Sequence, residues 1–394
     1  MIDYRVKLIH LFDEGLNEAE KRSIGCFDLL SASKNGIVLY GAGNIGKQTL
    51  KTLRKNGISP LCFADAKAYK RLTRIEGLPV LSPAEAASMY GSTALFVVTI
   101  LSRDFGNDYK SVFDSLAKLG VASIIPFHVI AWKYSKDLLP HYAQGCPRDV
   151  LPHKDAVLTA FDFFNDQRSQ EVFCELASVS TNPDYYHFSK YDEGPQYFTP
   201  EILQRLPERP LTVVDCGAYD GDTLRDFIKF AGVEHIKAWY AFEPDPDNFT
   251  KLMSYVANSA ADLRQKVHCF QNAVGAECFD VSFSADGTES ATANCDNGIS
   301  VPCLSLDSIF ADIRTDFIKM DIEGYEKEAL TGAKHTLARD DPVLALSVYH
   351  KPKDFFEIPN WIADHTSNEL HNAKRNFVLR RYMSYFYDSV LYSI

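Results

Sequence analysis

The residues best suited to chemistry follow an apolar run that leads to Asp215. Gly217 and Gly221 come next in a G-x-x-x-G spacing, and glycine lets the backbone turn sharply and approach a ligand closely. A second apolar run, residues 237–242, leads to Glu243. A carboxylate at the end of such a strand accepts hydrogen bonds from both hydroxyls of a ribose. The pattern therefore predicts a nucleoside site at the ends of two successive strands.

The glycine spacing also predicts what accompanies the nucleoside. Dinucleotide sites use G-x-G-x-x-G to hold a diphosphate, whereas the looser spacing leaves room for an amino-acid-like group. That description fits S-adenosylmethionine. Polar residues after the third strand, around Asn272, are expected to reach the adenine edge. The predicted cofactor-binding residues are Asp215, Gly217, Ala218, Tyr219, Asp220, Gly221, Thr223, Glu243, Pro244, Asn272, Ala273 and Asp321.

Four residues at later strand ends are candidates for the chemistry of methyl transfer. Displacement at a sulfonium methyl group needs an acceptor held in line, and a hydroxyl acceptor also needs a group that takes its proton. Asp321, Glu323 and His350 lie at or just beyond predicted strand ends, where open α/β sheets bind ligands. Lys319 shares a strand face with Asp321, so an ion pair between them is expected. We expect His350 or Asp321 to be the base, and Glu323 to orient the acceptor or contact the cofactor amine.

Each of these residues also has a structural interpretation. Asp321 and Glu323 could cap a helix that begins near Gly324, where acids are favoured. His350 could be a hydrogen-bonding residue at a strand end. Carboxylate and imidazole ligands also suit a divalent metal, but their spacing here is not diagnostic, so metal binding stays open. The aromatic stretch 185–198 could stack on a sugar ring or pack against the domain.

A second glycine turn occurs near the N-terminus. An apolar run over residues 36–40 leads into G-x-G-x-x-G at the start of a predicted helix, and a further strand ends in an acid that could bind a ribose. The candidate nucleotide-binding residues are Gly41, Gly43, Asn44, Ile45, Gly46 and Asp65. No residue set for hydride chemistry follows them. The favoured role is therefore docking, dimerisation or substrate recruitment, and binding of NAD or a nucleotide-sugar is the alternative.

The order of the predicted elements indicates an α/β protein with two doubly wound domains. Alternating strands and helices predict a Rossmann-like N-terminal domain over 1–135 and a second α/β domain over 207–394. Between them, residues 136–206 are expected to form a helical and aromatic connecting and lid segment. The N-terminal domain is a candidate surface for homo-oligomer formation.

Within the second domain, the pattern has the outline of a class I methyltransferase sheet. Strands are expected at 211–216, 237–242, 267–270, 316–320 and 343–349. Alternating runs at 376–382 and 388–394 predict that the sheet ends in an antiparallel hairpin. A helix is expected over 325–338, and residues 278–306 are expected to form a hairpin excursion near the site.

The bulk composition argues against several classes of protein. The chain of 394 residues carries a formal net charge of −11, and its pI near 5.5 argues against nucleic acid as a partner. Nine cysteines are scattered without a C-x-x-C pair, which favours reduced thiols over disulfides or a zinc site. No apolar run approaches the ~20 residues that span a bilayer, and the first residues do not resemble a signal peptide. We therefore expect a cytoplasmic protein without a transmembrane segment.

Six motifs in a fixed order carry a resemblance to a known family. They are VVDCGAYDGDT, AFEPDP, QNAVG, SLD, KMDIEGYE and VYHKP. Together they resemble the FkbM family of S-adenosylmethionine-dependent methyltransferases over about residues 211–360, and residues 196–198 resemble the lead-in to that region. The N-terminal domain looks like small Rossmann-like domains found beside sugar-modifying enzymes.

The resemblance implies an S-adenosylmethionine-dependent O-methyltransferase. The expected acceptor is a sugar hydroxyl of a glycan or of a nucleotide- or lipid-linked saccharide, or another small hydroxyl-bearing molecule. Two alternatives stay open. One is a bifunctional protein whose N-terminal domain binds NAD or a nucleotide-sugar, and the other is a non-catalytic binding protein with a methyltransferase fold.

Overall fold

The structure is a computed structural model, and it describes most of the chain. The described residues are 2–31, 36–100, 109–182, 192, 194–283, 299–366, 375–383 and 386–394. Most of the predicted aromatic stretch, residues 185–191 and 193, lies outside this part of the chain.

The N-terminal domain is built on a mostly parallel sheet. Its strands are β1 Ile37–Tyr40, β2 Cys62–Ala64, β3 Arg74–Ile75, β4 Leu78–Leu81, β5 Leu95–Val98 and β6 Ser123–Pro126. Its helices are α1 Tyr4–Leu11, α2 Leu16–Ser31, α3 Asn44–Lys55, α4 Pro83–Tyr90 and α5 Tyr109–Lys118. The strand order is β3-β4-β2-β1-β5-β6, and the pairs are parallel except for β3 with β4. Strand β5 is buried at every position, which is typical of a parallel strand covered on both faces.

Helices connect this domain to the second sheet. They are α6 Phe127–Lys133, α7 Ser135–Leu138, α8 Pro147–Val150, α9 Lys154–Phe161, α10 Gln167–Val179 and α11 Pro200–Leu203. The first helix of the chain contacts this connecting layer, since the Tyr4 hydroxyl lies 3.1 Å from Glu171 and Arg5 pairs with Asp162.

The second domain contains the larger sheet. Its strands, with those of a small accessory sheet, are β7 Leu211–Cys216, β8 Ile236–Phe242, β9 Val267–Phe270, β10 Ala273–Val274, β11 Phe279–Phe283, β12 Ile299–Leu304, β13 Phe317–Met320, β14 Val343–Ser347, β15 Phe377–Arg381 and β16 Ser389–Ser393. Its helices are α12 Asp222–Ala231, α13 Pro246–Ala257, α14 Ala261–Lys266, α15 Leu306–Ile309, α16 Glu326–Thr331, α17 Lys334–Asp340 and α18 Asp354–Thr366.

The strand order of the larger sheet is β15-β16-β14-β13-β7-β8-β9. Strands β7, β8, β9, β13 and β14 pair in parallel, and β16 pairs antiparallel with both β14 and β15. The predicted α/β class and the closing antiparallel hairpin are confirmed. Strand order reverses at β7, which lies between β8 and β13, and such a switch point opens a crevice at the carboxyl ends of the strands.

The predicted excursion forms the accessory sheet. Strands β11 and β12 pair antiparallel, as expected, and β12 also pairs in parallel with β10. The residues that join β11 to β12, 284–298, lie outside the described part of the chain.

One predicted helix is two helices in the structure. Instead of a single helix over 325–338, α16 and α17 are separated near Gly332. Asp307 causes the break: its backbone N–H donates to the Gly332 carbonyl at 2.8 Å, and its carboxylate accepts from the N–H groups of His335 and Thr336. A distant residue therefore caps the second helix, which local periodicity does not reveal.

Apolar side chains cover both faces of the larger sheet. On one face, the Phe173 ring of α10 lies 5.0 Å from Phe355 of α18, centroid to centroid. On the other face, Phe198 packs on Phe317 and Phe227, with ring centroids 5.2 and 5.0 Å away. Because Phe198 is anchored there, the residues just before it are held against the crevice. In the part of the chain that the structure describes, no helix combines the length and apolar character of a membrane span.

Candidate active site

A cavity of about 410 Å³ occupies the crevice at the carboxyl ends of β7, β8 and β13. Many of the predicted site residues line it, namely Gly217, Tyr219, Thr223, Glu243, Pro244, Asn272, Ala273, Lys319, Asp321 and Glu323. The other predicted residues of this domain do not line the cavity; they are Asp215, Ala218, Asp220, Gly221 and His350. The fold thus brings predicted cofactor-binding residues and predicted catalytic residues together around one cavity.

Gly217 makes the turn after β7 possible. Its φ is +81°, and a Cβ at this position would lie 2.0 Å from the Asp321 carbonyl oxygen. A side chain is therefore excluded both by backbone conformation and by the close approach of the chain after β13. Gly221, with φ of +88°, precedes the first residue of α12.

A buried ion pair lies beneath this turn. Lys319 Nζ is 3.2 Å from Asp215 Oδ1 and donates a 2.5 Å hydrogen bond to the Gly217 carbonyl. Burial raises the pKa of Asp215 to about 6 even though Lys319 opposes that rise. Burial alone would lower the pKa of Lys319, but the neighbouring Asp215, Asp321 and Asp222 outweigh it and hold that pKa above its usual value. The pair ties the glycine turn to β13.

The prediction of an ion pair between Lys319 and Asp321 is wrong. Lys319 and Asp215 are register partners on adjacent strands, so their side chains emerge side by side on one face. Asp321 lies beyond the last residue of β13, where the regular alternation of the strand no longer sets side-chain direction. Within the described chain, no ion pair within 4.0 Å joins Lys319 to Asp321.

Glu243 presents a buried carboxylate to the cavity. Its two oxygens accept the backbone N–H groups of Tyr219 at 2.8 Å and Asp245 at 2.9 Å. Burial raises the pKa of Glu243 to about 7. A carboxylate has about four acceptor positions, so each oxygen keeps a lone pair for a hydroxyl. Nearby, Val274, Val281 and Cys303 form an apolar wall suited to a flat base.

Acidic and aromatic side chains form the opposite end of the cavity. Tyr197 donates its hydroxyl to Asp321 Oδ2 at 3.0 Å. His350 lies behind this wall, with Nε2 at 3.3 Å from Asp321 Oδ1 and 3.9 Å from Glu323 Oε2. Its Nδ1 is 2.8 Å from Glu326 Oε1. Although burial alone would raise the pKa of Asp321, His350 and Lys319 hold it well below its usual value.

Three residues that line this end of the cavity or lie behind it were not among the predicted site residues. Glu326 stands within the KMDIEGYE motif, but its role as a partner of His350 depends on the bend between β13 and α16. Tyr197 belongs to the lead-in stretch, whose aromatic residues suggested only stacking or packing. Asp388, in the turn between β15 and β16, also lines the cavity. Each of them is an acid or a tyrosine next to a predicted loop, and this was the feature of the sequence that could have indicated a place in the site.

No metal centre is formed by the described residues, since they contain no group of three or more His, Cys, Asp or Glu side chains suited to hold an ion. The open question about a metal at Asp321, Glu323 and His350 therefore gains no support from the structure.

The N-terminal glycine turn has its own geometry. A Cβ on Gly46 would lie 2.1 Å from the Gly41 carbonyl oxygen, so α3 packs directly on the turn, whereas a Cβ on Gly43 would meet no atom within 4 Å. Asn44 and Ile45 begin α3. The Asp65 carboxylate accepts the N–H groups of Ala42 and Lys67 at 2.9 and 2.8 Å.

Comparison with known proteins gives a match to a family model and similarities to solved structures. Residues 215–375 match the model of the FkbM methyltransferase domain. No curated protein matches the sequence. The chain is similar to the methyltransferase FkbM from Methylobacillus flagellatus KT, with a TM-score of 0.72 and 20% identity, over 96% of this chain and 99% of that chain. At this identity the likeness shows the fold alone, and it includes both domains.

Other similar structures match about half of the chain. A SAM dependent methyltransferase from Aquifex aeolicus is 15% identical, covers 50% of this chain and 90% of its own, and has a TM-score of 0.28. A precorrin-6y C5,15-methyltransferase from Geobacter metallireducens GS-15 is 12% identical, covers 48% of this chain and 82% of its own, and has a TM-score of 0.30. The sequence match and the architecture agree: the C-terminal half of this chain, over residues 215–375, is an FkbM methyltransferase domain.

Proposed function

We propose that this chain is an S-adenosylmethionine-dependent O-methyltransferase whose acceptor is a saccharide hydroxyl. The observation that carries the proposal is a single cavity with two chemically different ends. One end has the buried Glu243 carboxylate and an apolar wall, and the other has Asp321 and Glu323 among tyrosine rings. The first suits a nucleoside and the second suits a hydroxyl-bearing acceptor.

The residues of the cavity fit the proposed cofactor. The free lone pairs of Glu243 match the two ribose hydroxyls, and Val274, Val281 and Cys303 match the adenine face. When bound, S-adenosylmethionine supplies a methyl group on a sulfonium sulfur that leaves as a thioether. Among the described residues that line the cavity, Lys319 is the one basic side chain, against the acids Asp222, Glu243, Asp321, Glu323 and Asp388. This surplus of acidic groups favours a cationic sulfonium.

The acceptor end can position and activate a hydroxyl. Asp321 keeps about a quarter of its side chain exposed, so its carboxylate is within reach of the cavity while Tyr197 holds one of its oxygens. A carboxylate in this position binds the acceptor hydroxyl and takes its proton late in the transfer, when the forming carbon–oxygen bond has made that proton strongly acidic. Tyr197, Tyr325 and Tyr349 supply aromatic surface beside the acids, a combination that suits the apolar faces and hydroxyl edges of a sugar.

A second activity in the N-terminal domain has one specific observation in its favour. The free space around Gly43 lies at the start of α3, where a diphosphate would approach a dinucleotide turn. The second candidate is therefore binding of NAD or a nucleotide-sugar at Gly41–Gly46, with Asp65 at the ribose.

Calorimetry on the full chain separates these possibilities. We expect saturable heat with S-adenosylmethionine, and its absence would overturn the main proposal. Heat with NAD that disappears in Gly43→Trp, while the S-adenosylmethionine signal is retained, would support the second candidate.

The acceptor class is tested in cells. Cell-surface glycans from a strain that carries the gene are compared by mass spectrometry with those from a deletion strain. We expect one glycan species to be one methyl group lighter after deletion, and identical glycan profiles would contradict a saccharide acceptor on the cell surface.

A further inference from the structure

The His350 ring is enclosed by carboxylates at both nitrogens. Nδ1 is 2.8 Å from Glu326, and Nε2 faces Asp321 at 3.3 Å and Glu323 at 3.9 Å. The His350 and Glu326 side chains are only 2% and 1% exposed, so water screens this contact little. Asp321 and Glu323 line the cavity, whereas His350 and Glu326 lie behind them.

The number of N–H groups on the ring decides which charge state fits its surroundings. A neutral imidazole has one N–H, which the short contact with Glu326 would use at Nδ1. Nε2 would then turn a lone pair toward two carboxylates, which is repulsive. An imidazolium donates to Glu326 at Nδ1 and turns a second N–H, with its positive charge, toward Asp321, whose Oδ1 lies 3.3 Å from Nε2.

Glu326 links the ring to the loop that carries the cavity acids. The same oxygen that faces His350 accepts the N–H groups of Ile322 at 2.9 Å and Gly324 at 3.4 Å. This loop is conformationally demanding, since Glu323 and Gly324 have φ of +55° and +92°. Glu326 thus contacts both the loop and His350 in the segment after β14.

We infer that Glu326 is a positioning residue that holds His350 as an imidazolium, so that His350 orients Asp321 and Glu323 and does not accept the acceptor proton. The inference rests on the proposed function, because it assigns the proton-accepting role to the cavity-facing Asp321. It also reverses the expectation that His350 is a base, since a ring that already carries both protons has no lone pair to offer.

The remaining charges near the ring are consistent with this assignment. Burial opposes a charge on His350, but Glu326, Asp321 and Glu323 outweigh it and raise the pKa of His350 well above its usual value. Burial and the Glu326 charge raise the pKa of Asp354, at the start of α18, to about 8. The nearby cations are Lys319, beyond Asp321, and Lys351, whose ammonium is 3.9 Å from Glu328. The Tyr142 ring approaches from the connecting segment, with its centroid 6.2 Å from that of His350.

Nuclear magnetic resonance of the full chain tests the inference directly. The histidine rings are labelled with ¹³C and ¹⁵N, and the His350 signal is identified by its loss in His350→Gln. We expect both ring nitrogens of His350 to remain protonated at pH 8, where an ordinary histidine, with a pKa of about 6.5, is neutral. A neutral His350 ring at pH 8 would overturn the inference; the charge state is read on the native chain, and His350→Gln serves only to assign the signal.

Two variants test the role of Glu326. Glu326→Gln should lower the titration midpoint of His350 by about one pH unit or more, because it removes the charge nearest to Nδ1, and Glu326→Asp should restore part of the shift. Glu328→Gln is the matched control on the same helix, since its side chain is 46% exposed and faces Lys351; it should leave the midpoint unchanged. An unchanged midpoint in a folded Glu326→Gln would also overturn the inference.

S-adenosylmethionine calorimetry on the same samples separates this inference from the proposed function. Glu326 lies outside the cavity wall, so Glu326→Gln should bind S-adenosylmethionine within about twofold of the native chain, and this binding also reports that the variant is folded. Native binding with a neutral His350 would leave the proposed cofactor in place and refute the positioning role alone.

Discussion

The two glycine turns of this chain differ in what surrounds them. At the N-terminal turn, a Cβ on Gly41 would meet the Ile100 side chain at 2.6 Å, and the Gly41 carbonyl accepts the Thr99 hydroxyl at 2.9 Å. At the C-terminal turn, Gly217 contacts the chain after β13, and its carbonyl accepts from the buried Lys319.

Glycine spacing therefore predicts a turn, whereas the residues of the neighbouring strands determine which chemical groups surround it. The C-terminal turn lies at the switch point of its sheet, where residues from β8 and β13 and from the segment before β7 meet around one cavity. The turn at Gly41 also follows a central strand and contacts the chain after β5, but its carbonyl accepts from the uncharged Thr99 hydroxyl, whereas the Gly217 carbonyl accepts from the charged Lys319.

The largest expected difference is between one position of each turn, Gly217 and Gly43, in the tolerance of a methyl group. Gly217→Ala should abolish detectable S-adenosylmethionine binding and lower the free energy of unfolding by about 2 kcal/mol or more, because the new Cβ meets a backbone oxygen at positive φ. Gly43→Ala, which meets nothing within 4 Å, should cost less than about 1 kcal/mol. Urea denaturation and calorimetry measure both effects. Native-like cofactor binding by Gly217→Ala would contradict the assignment of the C-terminal turn.

The two strand-end acids provide the next contrast. Glu243→Gln should weaken S-adenosylmethionine binding by about 10- to 100-fold, since hydrogen bonds to a charged group contribute roughly 1.5–3 kcal/mol. Asp65→Asn is the matched change at the N-terminal turn and should leave that affinity unchanged. Equal losses in the two variants would mean that the cofactor is not confined to the C-terminal cavity.

The smallest expected effect is a pH dependence of S-adenosylmethionine affinity, which arises from Glu243 beside the C-terminal turn. Burial raises the pKa of Glu243 to about 7 from an ordinary value of 4.5. Its ionisation therefore opposes folding, and the stability that its protonated form contributes is lost as pH rises from about 4.5 through 7. The ionised form accepts the ribose hydroxyls better, so S-adenosylmethionine affinity should rise several-fold, up to about tenfold, between pH 6 and 8. Calorimetry on Glu243→Gln should show this dependence removed, and a persistent rise would assign it to another group.

Local sequence patterns determined the elements of the fold. The strands Leu211–Cys216 and Val267–Phe270 have the predicted bounds, and the closing hairpin forms where alternating runs predicted it. Glycine after a buried strand likewise predicted the turns, and acids at strand ends predicted which residues line the cavity. These features depend on residues close together in the chain, so periodicity and turn chemistry carry the information.

Tertiary structure alone decided which side chains are partners. Lys319 pairs with Asp215 because β7 and β13 are adjacent in this register, and no pattern within either strand specifies that register. Glu326 meets His350 because the chain bends after β13 and β14 ends beside it. Tyr197 reaches Asp321 because Phe198 is anchored on the far side of the sheet. Side-chain pairing across strands depends on contacts distant in sequence, and for that reason the composition of the cavity could be predicted, but the charge network behind it could not.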